Sequence, residues 1–251
     1  MGTKLNSKVA LITGASRGIG RSLAKGFVRE GAKLYLVGHK DERALRETLD
    51  ELRQAGAEAE GGLFDVGSYT DVVRIAEAVE SRYGTLDILV NNAGNIAPTP
   101  LLEITPEQWD RTMRTHLYGT FYCTLEMVRR FLKPKRAGKI VNVTAPSAVR
   151  GGNGVADYAS AKGGIIAFTR IAARELLAVN IQVNAVLPVA RSRMTDALAE
   201  FNARFSGEEA VARLRNLAPP DVLLPVFLFL ASSDSDYITG QVIGADGGLL
   251  A

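Results

Sequence analysis

The sequence predicts one α/β domain: a doubly wound parallel sheet with helices on both faces. Short β-branched apolar runs alternate with longer amphipathic stretches along all 251 residues. The runs are nearly continuous in apolar character, as strands buried on both faces require. A glycine-rich turn joins the first run to the first helical stretch, the usual place for a ligand in such sheets.

Strands are predicted over residues 9–12, 34–37, 86–90, 140–143, 181–186 and 242–243. Helices are predicted between them, over 18–30, 41–55, 68–83, 106–132, 156–178 and 219–231. Gly31, Gly84 and Gly138 are placed to stop helices before the next strand. No Pro/Ser-rich or Gly/Ser-rich linker, repeat or long charge run interrupts the pattern, so residues 1–251 are expected to form one domain.

After the first strand comes Thr13-Gly14-Ala15-Ser16-Arg17-Gly18-Ile19-Gly20. Gly14, Gly18 and Gly20 permit a tight turn, a close backbone approach and close helix–strand packing, with N–H groups facing a pyrophosphate. The second strand ends in Gly38-His39-Lys40, with no carboxylate to hold a free ribose 2′-hydroxyl. Together with Arg17 these basic groups point to NADP in preference to NAD. Asp41 falls late for the ribose and is expected to cap the following helix.

Tyr158 and Lys162 lie at i and i+4 in a predicted helix, on one face, where a phenol and an ammonium reach the same ligand. The ammonium is expected to lower the phenol's pKa and bring the hydroxyl closer to use as a general acid/base.

Composition excludes several classes. The formal charge is +3 with basic and acidic residues interspersed, which does not suit a nucleic-acid stripe. No apolar run approaches the ~20 residues of a membrane span and residues 1–7 hold no apolar signal core, so a soluble, cytoplasmic protein is expected. Cys123 stands alone in an apolar stretch and is expected to be a packed thiol; no metal site is expected.

With the glycine loop and Tyr158/Lys162, the chain also has Asp65-Val66, Asn91-Asn92-Ala93-Gly94, Tyr237-Ile238-Thr239-Gly240-Gln241 and Asp246-Gly247-Gly248. Together these resemble the short-chain dehydrogenase/reductase family over essentially the whole chain, in the manner of its 3-oxoacyl-carrier-protein reductases. The resemblance implies a Rossmann-like domain, often a homotetramer or homodimer, that moves hydride between nicotinamide and a carbonyl/alcohol pair. It implies that Gly14, Ser16, Arg17, Gly18, Ile19, Gly20, His39, Asp65, Val66, Asn92, Ala93, Gly94, Pro188 and Ser192 line the cofactor. Tyr158 gives the proton, and Lys162 binds the nicotinamide ribose.

Three positions depart from the pattern. The carbonyl-orienting Ser, thirteen residues before the Tyr, is Ala145. Thr144 should point away by strand alternation, which leaves Ser147, beyond Pro146, as the substitute. His116 stands where the family has a relay Asn, and an imidazole also relays protons. Pro188-Val189 replaces Pro-Gly, leaving Ser192 in place of the carboxamide-binding Thr.

Residues 190–217 are expected to fold over the substrate, with Met194, Leu198, Phe201 and Phe205 mixed among Arg191, Arg193, Arg204, Arg213 and Arg215. Arg136 stands where carrier-protein reductases present a basic residue, but a second such position is Val179. The departures leave open a retired nucleotide-binding subunit, or a dehydratase or epimerase on the same scaffold.

Overall fold

The computed structural model describes residues 3–135, 137–204 and 208–250. Arg136 and Phe205 lie outside the described residues, as does the Arg213 side chain. The first half runs β1 (Val9–Thr13), α1 (Gly18–Arg29), β2 (Lys33–Gly38), α2 (Glu42–Gln54), β3 (Ala59–Leu63), α3 (Tyr69–Tyr83) and β4 (Ile88–Asn91). It continues through α4 (Pro106–Met113), α5 (Gly119–Met127), α6 (Lys133–Lys135), β5 (Gly138–Val143), α7 (Ser147–Arg150) and α8 (Ala156–Leu176). Then come β6 (Ile181–Pro188), α9 (Arg193–Asn202), α10 (Glu208–Arg215), α11 (Leu224–Ala231) and β7 (Val242–Ala245).

The seven strands are parallel in the order β3-β2-β1-β4-β5-β6-β7, so the strand order reverses between β1 and β4. Both sheet faces are covered, which is why the strands read as continuous apolar runs. Ala10 and Ile12 of β1 enter one core with Leu23, Phe27 and Phe227, while Val9 and Leu11 enter the other with Ile75, Val79 and Phe131. A buried polar chain pins the central layers: Asn91 Nδ2 donates to Asn142 Oδ1 at 2.9 Å and Thr124 Oγ1 at 3.1 Å. Asn142 Nδ2 donates in turn to Thr169 Oγ1 at 2.9 Å, tying β4 and β5 to α5 and α8.

Helix starts follow the expected chemistry. Asp41 accepts from the Ala44 N–H, Ser68 from Asp71 and Thr105 from Gln108, and Ser192 and Thr195 form a reciprocal capping box. Gly84 caps α3 at φ 67°, and Gly31 follows α1 at φ 85°. Gly138 does not cap a helix; it opens β5, where a Cβ would press on Leu132.

Three elements escape the sequence pattern. β3, Ala-Glu-Gly-Gly-Leu, has no β-branched residue, and it pairs only as an edge strand. α7 is a single turn. The long helix predicted over 106–132 is helical throughout, but it widens into π-turns at Arg114–Tyr118 and Val128–Leu132. Such bulges gather at functional sites.

No described helix is long and apolar enough to cross a membrane. Among the described residues, no cluster of His, Cys, Asp and Glu is placed to hold a metal. Cys123 is buried, and burial pushes its thiol up to about 12.

Candidate functional site

At the C-terminal ends of the strands three cavities adjoin. The first, of about 570 Å³, is lined by Gly14, Ser16, Arg17, His39, Lys40, Asp41, Asp65, Val66, Ala93 and Gly94. A narrow central cavity of about 150 Å³ shares Gly94 with it and adds Ile19, Asn92, His116, Ala145, Ser147, Tyr158, Lys162, Pro188 and Ser192. An outer cavity of about 580 Å³ shares Ser147, Arg150 and Tyr158 with the central one. All the proposed site residues except Gly18 and Gly20 therefore line this trough.

The two exceptions shape the loop. Gly14 and Gly18 hold φ of 67° and 55°, a region costly for other residues. A Cβ at Gly20 would come within 2.7 Å of Asn92 Nδ2, which itself donates to the Thr13 and Gly14 carbonyls at 2.9 and 3.1 Å. Asn92 thus holds the glycine loop against the end of β4. No side chain caps α1, and its first turn has no acid, so the N–H end stays open for an anion. These features fit the pyrophosphate of a dinucleotide.

Arg17 departs from expectation. Its Nη2 pairs with Asp41, so the carboxylate that caps α2 also faces the basic group assigned to the ribose. The Ala44 N–H, and then the positive charges of Arg17 and Arg193, hold the Asp41 carboxyl below its usual range.

Tyr158 and Lys162 lie on the first turns of α8. Asp157 fixes that end: it accepts from Thr112 Oγ1 at 2.8 Å, Gln108 Nε2 at 3.2 Å and the Tyr158 N–H at 2.7 Å, locking α4 to α8. The Tyr158 ring meets His116 edge-on, centroids 5.1 Å apart. Its hydroxyl makes no hydrogen bond within the described protein. Lys162 Nζ sits 5.7 Å from the Tyr158 ring centre and donates to the Val143 carbonyl at 2.7 Å.

The expected depression of the phenol is not met in the protein alone. Burial pushes Tyr158 above its ordinary value, and the same burial brings Lys162 down to about 7, weakening the charge that was to act on its neighbour. Tyr158 is therefore a protonated acid at neutral pH, suited to giving a proton to a carbonyl.

His116 sits in the π-turn, nearly fully buried. Its Nε2 lies 2.8 Å from the Asn95 carbonyl, and its Nδ1 is buried with no partner. Burial and then the Lys162 charge hold it well below the ordinary value, so the imidazole is neutral. Gly94 makes the space, since a Cβ there would overlap the imidazole.

Ala145 is buried and brings no hydroxyl. Thr144 is committed elsewhere, its Oγ1 donating to the Lys162 carbonyl at 2.9 Å. Ser147 opens α7, and its Oγ is buried without a partner while the residue lines both the central and outer cavities. An orphaned buried hydroxyl is uncommon and points to a missing ligand. Ser192 lines the central cavity too, but its Oγ accepts from the Thr195 N–H at 3.2 Å.

Sequence reasoning missed Asp157, Arg150, Asn153, Asn202 and Leu249. Asp157 left one signal, an acid in a helix's first turn; Arg150 and Asn202 end the short helices α7 and α9, and Asn153 and Leu249 lie outside helices and strands. Of the segment 190–217, Met194, Leu198, Leu214 and Leu217 line the central or outer cavity, whereas Arg191, Arg193, Arg204 and Arg215 line neither.

The chain matches the family model described as enoyl-(acyl-carrier-protein) reductase over residues 14–250. It is 37% identical over 250 residues to a 3-oxoacyl-[acyl-carrier-protein] reductase of Thermotoga maritima, covering 98% of this chain and 99% of that one. Among solved structures, an actinorhodin polyketide ketoreductase variant with NADPH aligns with a TM-score of 0.91 at 32% identity, covering 97% of each chain. An NAD⁺-bound xylitol dehydrogenase gives 0.91 at 30% identity, covering 98% of this chain and 100% of that one. With this parallel sheet and these relatives, the chain belongs to the short-chain dehydrogenase/reductase family of oxidoreductases, which bind nicotinamide cofactors and act on a carbonyl/alcohol pair.

Proposed function

We propose that this protein reduces a ketone to a secondary alcohol with NADPH, in the cytoplasm, with Tyr158 as general acid. The observation that supports this best is the orphaned Ser147 Oγ lining the same cavity as Tyr158, whose hydroxyl makes no hydrogen bond with a described residue. When bound, the nicotinamide cofactor supplies the hydride. Tyr158 gives its proton to the carbonyl oxygen as charge develops there. Ser147 donates to the same oxygen and so replaces the hydroxyl absent at Ala145. Lys162 binds the nicotinamide ribose, and the neutral His116 holds a proton path behind Tyr158. The segment 190–217 covers the substrate, with Met194, Leu198, Leu214 and Leu217 facing it.

Ser147→Ala is expected to lower kcat by ~10², the scale of a lost oxyanion donor. Ala145→Ser offers a second donor and is expected to raise the rate and to shrink the Ser147→Ala effect. Steady-state reduction of a carbonyl panel measures both; a Ser147→Ala rate equal to wild type removes Ser147 from the reaction.

Cofactor choice follows from the end of β2. Lys40 and His39 line the nucleotide cavity, and Asp41 occupies Arg17. Asp41→Asn keeps a capping side chain on α2 and removes the opposing charge. The NADPH-over-NADH affinity ratio is expected to rise roughly two- to fivefold, the scale of an exposed ion contact. Fluorescence titration with both cofactors reads it, and an unchanged ratio excludes Arg17 from the choice.

The exposed Tyr118, Phe121, Ile171 and Leu177 on α5, α8 and their flanking turns support a homotetramer or homodimer.

The strongest alternative is a retired nucleotide-binding subunit, favoured by Ala145. Tight NADPH binding with no turnover across ketones, diketones and β-ketoacyl thioesters selects it over the reductase. A dehydratase or epimerase would instead convert substrate with no net cofactor consumed.

A further inference from the structure

We propose that Arg150 recognises a carboxylate on the substrate, so that the ketone reduced in this site is an oxo acid; the proposal rests on the reductase reading above. Arg150 lines both the central and the outer cavity. Its guanidinium, on an exposed residue, makes no ion pair or hydrogen bond with any described residue, whereas Arg17, Arg21, Arg53 and Arg130 are each matched to a carboxylate. Among the described residues, no Asp or Glu lines either cavity. Its walls are largely apolar, formed by Ile96, Val155, Leu198 and Leu217.

The chemistry follows from that arrangement. An unmatched cation beside low-dielectric walls draws an anion from water. A guanidinium presents a planar fork that a carboxylate fills with two parallel hydrogen bonds. Ser147 and Arg150 are three residues apart in one turn of α7 and therefore share a face. A carbonyl held by Tyr158 and Ser147 thus extends its far end towards Arg150, with carbon chain against the apolar wall. The outer cavity, at about 580 Å³, has the size of a small-molecule site. This charge belongs to the cavity itself, because Arg191, Arg193, Arg204 and Arg215 line neither cavity.

The test compares short- and medium-chain oxo acids with their methyl esters, and both with a β-ketoacyl-CoA thioester, in wild type, R150K and R150Q. Wild type is expected to prefer acid to ester by roughly 10- to 100-fold in kcat/KM, mostly through KM, as for a hydrogen bond to a charged group. The ratio should fall towards one in R150Q and lie between in R150K, which keeps the charge but not the fork. An acid/ester ratio near one in wild type, or a ratio that survives R150Q, overturns the assignment. So does a thioester preference that alone depends on Arg150, since the anion read would then be the thioester's phosphate. If wild type reduces neither acid nor ester, the reductase reading fails separately. Titrating the NADPH complex with the oxo acids then decides Arg150: binding lost in R150Q sustains it, and no binding by wild type overturns it.

Discussion

Tyr158→Phe is expected to lower kcat by ~10² to 10⁴, the span attributed to a positioned general acid, while NADPH binding and thermal stability stay close to wild type. The separation of these effects comes from what the hydroxyl touches. It has no hydrogen-bond partner among the described residues, so its removal strands no described buried donor or acceptor. The ring keeps its edge contact with His116, 5.1 Å between centroids, and so keeps its packing. Burial holds the phenol protonated through neutral pH, which makes it a ready donor in the reductive direction. The reverse reaction needs phenolate and should therefore gain rate as the pH is raised. Initial rates in both directions, with calorimetry beside them, test the set; reduction by Tyr158→Phe at the wild-type rate would remove the phenol from the reaction.

The second large effect concerns Lys162, which the fold holds against its own stability. In the folded protein burial lowers its pKa from 10.5 to about 7. Between those values the unfolded chain binds a proton that the folded protein does not, so this group makes stability rise with pH across that window. Below about 7 both states are protonated and the penalty is present in full. Lys162→Met removes the penalty but leaves the Val143 carbonyl without its donor at 2.7 Å. The net expected gain near pH 6.5 is on the order of 2 kcal/mol, or about 4–8 °C in Tm, shrinking as the pH approaches 10. Activity should fall by ~10² or more as the ribose contact and the charge beside Tyr158 are lost. Calorimetry at three pH values against kcat/KM tests the trade; a variant less stable than wild type at pH 6.5 refutes it.

How much of this was legible in the sequence depends on which force placed each residue. Strands with β-branched cores, such as Ile181–Pro188, declare themselves because burial on both faces dictates their composition. Ala59–Leu63 does not, because an edge strand with Gly61 against the Leu36 carbonyl is specified by close approach instead of by apolar pattern. The same division holds in the site. Tyr158, Lys162 and the glycine loop are local motifs whose spacing is itself the signal. Asp157, by contrast, acts across 45 positions to Thr112, and Arg150 owes its place to a one-turn helix that no periodicity could reveal. The electrostatic sense of the Tyr158/Lys162 pair was the least legible feature, since burial, a property of the whole fold, outweighs the neighbour's charge.

The fit of the His116 ring over Gly94 has an evolutionary consequence. An imidazole seated where a Cβ would stand makes the two positions mutually exclusive for bulk. Enlarging residue 94 while histidine occupies 116 forces the imidazole to shift. A side chain at 94 is most easily accommodated once a smaller residue replaces His116. Residues 94 and 116 thus share one space, so a change in the size of either is felt at the other.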